Sequence, residues 1–351
     1  MVLQEQHSVP FALRQVGFLP AYLYGHTYEI VSLRFSPDGS LLASATEGGR
    51  VVLIWDVKNQ ALLRALPFPS AINDLAFSPD GTCLAVSAGG KVSCWDGTGE
   101  DHLTDLPCHP SDLAFSPTGK ELLCVDAQGI VSFWNLAQER QIASFQAIPE
   151  GSRPGWWAIS PSRDLSCLVL TTQANQAFLW LFESDQGEAV PLATIPADYN
   201  DGVVFSPDGT LLACLATPPR QRKPRVQVYD LQTQTYRMDL VSPTALLGTE
   251  RSQPLAFSPE NALLVVADLY GNLWFWDINK QQLIAQPPAH PDPGSFPYYG
   301  IRALAWSPAS QYLAMGGWEQ RDPSFSGERF CVKLWEVNRQ EEKRERCLFA
   351  R

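Results

Sequence analysis

The residues of this 351-residue chain that could do chemistry are five histidines, eight cysteines and a set of recurring aspartates. Asp38, Asp80 and Asp208 each precede a glycine, and repeated carboxylates can act as general acid and base. Their company argues otherwise. Each sits in the phrase Phe-Ser-Pro-Asp-Gly, where Pro and Asp-Gly supply the fixed and positive φ of a tight turn, so geometry rather than catalysis explains the recurrence. The histidines are too scattered for a multi-histidine metal centre. The cysteines stand singly, without CxxC spacing, so neither a zinc site nor a disulfide framework is expected. They read as buried, reduced thiols. The chain has no phosphate-binding glycine loop, no His-Glu-x-x-His and no Gly-x-Ser-x-Gly elbow. No catalytic residue, cofactor or metal is expected, and the chain is read as a non-enzyme.

Binding chemistry is better represented. Thr217–Arg225 is a basic island, with Arg220, Arg222 and Lys223, on a chain of net charge −11, and it suits an acidic partner. Two further stretches bring aromatics into Pro- and Gly-rich surroundings: Gln286–Gly300, with Phe296, Tyr298 and Tyr299, and Gly317–Arg329, with Trp318 and Phe325. Aromatics in such loops are costly to leave in water and often anchor a partner, or they pack the loop onto its own support. Trp156 stands where the other repeats have Ser32, Asp74, Asp112, Gly202, Pro254 and Ala303. Trp156, Trp318, Tyr270 and Tyr298 are also the candidates for an aromatic cage that would read a small ligand or modified residue, on the rim or in a central channel.

The elements that position these residues are set by repetition. The phrase opens at Phe35, Phe77 and Phe205, and weaker copies open at Phe115, Ile159, Phe257 and Trp306. Before each copy runs a short apolar stretch such as Ile30–Phe35. After it come a second, Leu41–Ala45, a turn, a third ending in an aromatic, Val51–Trp55, and a looser fourth. Such runs are too short for helices and rich in Val, Leu, Ile and aromatics, so each repeat is four antiparallel strands.

The closing aromatics are Trp55, Trp95, Trp134, Trp180, Tyr229, Trp276 and Trp335, with Asp following at 56, 96, 230 and 277. This grammar resembles the WD40 repeat over roughly residues 25–337. The resemblance implies an all-β, seven-bladed propeller as one domain over 1–351. The repeats fall at approximately 25–67, 68–106, 107–148, 149–196, 197–241, 242–287 and 288–337. The near-regular repeats without appended domains resemble those of bacterial, in particular cyanobacterial, members. Residues 1–24 would supply the strand that closes the ring, near Phe18–Tyr24. The competing candidate is Cys347–Ala350 in the polar tail, 338–351. The family's buried network of His, Ser or Thr, Asp and Trp is matched at His26, Ser44 and Trp55, with Gly49 at the Asp position. Trp95, Trp134, Trp180, Trp276 and Trp335 are likewise read as structural.

The same resemblance implies function: a rigid platform binding proteins or peptides on the rim where the loops between second and third strands, and between repeats, emerge. The basic and aromatic loops fall on that rim in repeats five to seven. Charge disfavours general nucleic-acid binding. Neither a leader-like N-terminus nor an apolar run long enough to cross a bilayer is found. A cytoplasmic monomer working within a larger complex is expected.

Overall fold

A computed structural model describes residues 11–19, 26, 28–46, 48–116, 118–149, 167–172, 176–183, 188–196, 200–216, 225–241, 255–267, 272–285, 301–319 and 329–339. These contain strands and no helix. The strands form seven antiparallel sheets.

Phe11–Leu19 (β1) is taken up below. Ile30–Phe35 (β2), Leu41–Thr46 (β3), Val51–Asp56 (β4) and Ala61–Pro67 (β5) make the first sheet in simple sequence order. The second is Ile72–Phe77 (β6), Cys83–Ala88 (β7), Lys91–Asp96 (β8) and His102–Leu106 (β9). The third is Pro110–Phe115 (β10), Glu121–Asp126 (β11), Ile130–Asn135 (β12) and Arg140–Gln146 (β13). The fourth has three described strands, Cys167–Thr172 (β14), Gln176–Glu183 (β15) and Glu188–Pro196 (β16). The fifth is Asn200–Phe205 (β17), Leu211–Ala216 (β18), Arg225–Asp230 (β19) and Thr235–Val241 (β20). The sixth is Leu255–Phe257 (β21), Leu263–Ala267 (β22), Leu273–Asp277 (β23) and Gln282–Ala285 (β24).

The seventh sheet is discontinuous in sequence. Ile301–Trp306 (β25), Tyr312–Glu319 (β26) and Arg329–Arg339 (β27) are completed by β1, which pairs with β27 from Phe11↔Arg339 to Leu19↔Val332. The closing strand thus starts upstream of Phe18–Tyr24 and shares Phe18 and Leu19 with it. The Val337–Arg339 end of β27 pairs with Leu13–Phe11, beyond a bulge at Val16 opposite Trp335 and Leu334. Cys347–Ala350, the competing segment, lies outside the described residues.

Sheets join into a ring because each buries both faces against its neighbours. Seven apolar cores occupy the junctions in order, from Leu75 and Leu84 against Val52 and Ile54 to Val265 and Phe275 against Leu304 and Met315. The last joins sheet seven back to sheet one, with Ala314, Val332 and Leu334 on Ile30, Leu33 and Leu53. At that seam a Cβ on Gly316 would lie 2.5 Å from Ile30 Cγ2, so glycine is what lets the first and last sheets meet.

The Ser-Pro phrases are the turns between first and second strands. In six of them the serine hydroxyl accepts the backbone N–H five residues on, for example Leu41 N to Ser36 Oγ at 2.9 Å and Tyr312 N to Ser307 Oγ at 2.8 Å. Gly39, Gly81, Gly119 and Gly209 hold φ of 71–75°, which is cheap for glycine. Asn261 and Ser310 take the same conformation, at 60° and 57°.

Candidate functional site

Antiparallel order puts the Ser-Pro turns and the turns after the closing aromatics on one rim. The connections between second and third strands and between sheets emerge on the other. Most of the sequence's binding candidates lie outside the described residues: Trp156, Arg220, Arg222, Lys223, Tyr270, Phe296, Tyr298, Tyr299 and Phe325. Trp318 is described in its backbone, near the end of β26 opposite Phe330.

The structural residues are placed. His26 is buried, with Nε2 3.0 Å from Ser44 Oγ, and Trp55 Nε1 donates to the same hydroxyl at 3.0 Å. His26 Nδ1 has no partner among the described residues, on the sheet where the family's aspartate is replaced by Gly49. Burial outweighs a hydrogen bond to the Ser44 backbone and pushes the imidazole down to about 4. Other sheets solve the tryptophan differently. Trp134 Nε1 donates to Ser132 Oγ at 3.1 Å and Trp180 Nε1 to Ala147 O at 2.9 Å, while those of Trp95 and Trp335 have no described partner. Trp276 is half-buried against the core between sheets five and six. Cys108, in the connection between β9 and β10, and Cys124 on β11 bring their sulfurs to 3.5 Å, Cys124 occupying the register place of Ser44. Cys83, Cys94, Cys108, Cys124 and Cys214 are buried and unbridged.

The aspartate after the closing aromatic is a turn residue. Asp56 Oδ1 accepts Asn59 N at 2.8 Å, Asp230 Oδ1 accepts Thr233 N at 2.9 Å and Asp277 Oδ1 accepts Lys280 N at 2.8 Å. The amides of Asn59 and Thr233 favour the ionised forms of Asp56 and Asp230 and hold both below the usual carboxylate range.

Inside the ring, a cavity of about 300 Å³ is lined by the first strands of sheets one, two, three, five and six and by Pro37 and Pro79. Arg34 on β2 faces it. Its Nη1 donates to Leu33 O at 3.1 Å and its Nη2 is 3.4 Å from Asp74 Oδ1 on β6. Asp74, 6% exposed, also accepts from Ser32 Oγ and from Leu113 N on β10, so it ties three sheets together. Ser32, Asp74 and Asp112 stand at one position of the repeat, and Arg34 at a position where the other copies have Ala or Val.

One described cluster holds catalytic residue types in an arrangement that does not activate its serine. Asp105 accepts from Lys91 Nζ at 2.6 Å and Ser93 Oγ at 2.7 Å and lies 3.0 Å from His102 Nε2. The serine therefore points at the carboxylate rather than at a base that could activate it. Burial, which would raise Asp105, is outweighed by these three donors, and its carboxyl falls to about 2. Among the described residues no group of three or more His, Cys, Asp or Glu is arranged to hold a metal ion, and no helix is long and apolar enough to cross a membrane.

The sheets share their phase with a known repeat. The model of the WD domain, G-beta repeat, matches residues 17–56 and 61–96. Each match starts in the outermost strand of one sheet, β1 or β5, and ends at the Trp-Asp of the next. The chain carries WD40 repeats. A WD40 unit is therefore shared between neighbouring sheets, which ties each sheet to the next through the chain itself. Similar proteins of Schizosaccharomyces pombe agree. Periodic tryptophan protein 2 homolog is 28% identical over 58% of this chain. Target of rapamycin complex subunit wat1 is 27% identical over 59%, and small ribosomal subunit protein RACK1 is 28% identical over 33%. The matches span 28%, 68% and 40% of those proteins, so two of the three are mostly outside the likeness.

Proposed function

We propose that this WD40 ring is a non-enzymatic scaffold that holds partner proteins or peptides on its loop-bearing rim. The observation that carries this is the closed ring itself. Seven cores fix the sheets, so loops on one rim are presented with little ordering cost on binding. The names of two similar proteins, a complex subunit and a ribosomal-subunit protein, support work inside assemblies. The finer reading is one domain over 1–351, cytoplasmic and monomeric within a larger complex. Its docking sector is formed by repeats five to seven, where Tyr298, Tyr299 and Trp318 anchor the partner, Phe296 and Phe325 flank them, and Arg220, Arg222 and Lys223 attract acidic groups.

The test is capture from the native source with the tagged chain. Replacing Tyr298, Tyr299 and Trp318 together with alanine removes the main partner and leaves the melting temperature within about 2 °C. Unaltered capture by a folded triple variant would sink the assignment of that sector.

A further inference from the structure

Cys83, Cys94, Cys108 and Cys124 are buried in one apolar core between sheets two and three. A buried thiol packs well as a small apolar group without a second thiol beside it, yet these lie near one another in pairs. Cys83 and Cys94 belong to the adjacent strands β7 and β8, two residues out of register, since Cys83 pairs with Asp96 and Cys94 with Ala85. Diagonal neighbours of that kind hold their Cβ atoms roughly 6–7 Å apart, against about 3.8 Å in a disulfide. Cys108 and Cys124 differ. Their sulfurs are 3.5 Å apart, so a bond of about 2.05 Å requires an approach of only about 1.5 Å. Cys124 is fixed in β11, opposite Leu113 and Ser132, whereas Cys108 lies in the connection 107–109, outside the strands. Pro107 and Pro110 flank it and have no backbone N–H with which to anchor that connection. Cys108 is also the nearer of the two to solvent, 6% exposed against 2%.

We infer that Cys108 and Cys124 are a redox modification site, oxidised by hydrogen peroxide to a disulfide that a thiol reductant reopens. The Cys108 thiolate attacks one oxygen of the peroxide and the O–O bond breaks. The products are the Cys108 sulfenic acid and hydroxide, which takes up the proton that the thiol released. The Cys124 sulfur then attacks the Cys108 sulfur. The S–S bond forms, the S–O bond breaks, and the leaving hydroxide combines with the Cys124 proton as water. Two thiols give up two electrons and two protons, and one peroxide becomes two waters. The order of attack follows from the contact. A hydrogen bond from the Cys124 thiol outweighs burial and holds Cys108 below the ordinary thiol range, while that bond and burial together push Cys124 up. The disulfide ties a connection on the loop-bearing rim to β11 and constrains the chain between them. The same connection carries His109, whose ring lies against Gly90, where an added Cβ would stand 2.6 Å from His109 Cδ2. The site does not rest on the scaffold reading.

The experiment treats the full, reduced chain with a small excess of hydrogen peroxide while circular dichroism reports that it stays folded. Free thiols are then blocked with N-ethylmaleimide in urea and the cysteine peptides are mapped by mass spectrometry, with fragmentation separating Cys94 from Cys108. The expected product is an intramolecular Cys108–Cys124 link. It forms about tenfold or more faster than Cys83, Cys94 or Cys214 is oxidised, and dithiothreitol reopens it. In Cys124→Ser, dimedone added with the peroxide labels Cys108 as its sulfenic acid, and in Cys108→Ser the Cys124 thiol stays reduced. The wild-type map decides the matter even where a variant does not fold. No link, a link through Cys83 or Cys94, a link between molecules, or equal oxidation of all the buried cysteines overturns the inference. Partner capture is measured separately, and its failure leaves this result untouched.

Discussion

At the scale of single residues, protonation and backbone strain give the sharpest expectations. His26 is neutral when folded, with its pKa down at about 4 against 6.5 for an exposed imidazole. Below pH 6.5 the unfolded chain takes up a proton that the folded chain refuses. The stability associated with His26 is therefore whole above pH 6.5 and is lost as pH falls toward 4, by at most about 3 kcal/mol. Urea midpoints between pH 4 and 7 show this slope in the wild type and a flatter one in His26→Gln. The turn aspartates act lower. The Ser36 hydroxyl and Ser40 amide hold Asp38 below its usual range, and Ser78 and Thr82 do so for Asp80. Their contribution is present above the ordinary carboxylate pKa and fades as pH drops through the depressed one. Ser310 spends a non-glycine residue on a φ of 57°, but its hydroxyl also donates to Glu260, so Ser310→Gly trades the relief of strain against that bond and changes stability by less than about 0.5 kcal/mol, read from urea midpoints. Asn261→Gly is offset in the same way, because the Asn261 carboxamide accepts Asp208 N at 3.1 Å.

At the scale of the elements, the strands were legible and their irregularities were not. Alternation and turn residues mark the four-strand unit. Nothing in them marks the extra residue that the outermost strand carries opposite the closing aromatic in all seven sheets, such as Leu63, skipped between Trp55↔Leu62 and Ile54↔Arg64. A bulge conserves the apolar count and changes only the pairing, which is settled by the twist each sheet needs to fit its neighbours. It leaves Leu63, Leu103 and Ile142 exposed on the outer wall. The role of the aspartate in Trp-Asp was likewise visible as a repeat and explained by geometry. Asp56→Ala removes two acceptors from Asn59 and costs about 1 kcal/mol, measured by chemical denaturation.

At the scale of the molecule, stability is concentrated in closure. Gly316→Ala drives a methyl into Ile30 across the seam of sheets seven and one and costs about 1–3 kcal/mol. Removing residues 1–19 takes β1 from β27 and exposes an edge of eleven residues. The shortened chain melts at least about 5 °C lower and elutes partly as self-associated material in size-exclusion chromatography. A truncated chain that melts like the full one would show that the seam holds without its outer strand.

The sequence by itself determined the repeat, the strand content and the number of phrases, because a turn needs particular residues at particular places and a buried strand needs apolar ones. It also marked His26, Ser44 and Trp55 as partners, since their spacing follows a known grammar. Tertiary structure alone decided which strand closes the ring, that Cys108 meets Cys124, and that Asp74 joins three sheets beside Arg34. These are meetings between residues far apart along the chain, fixed by the curvature of seven packed sheets, and no local pattern of residues encodes that curvature.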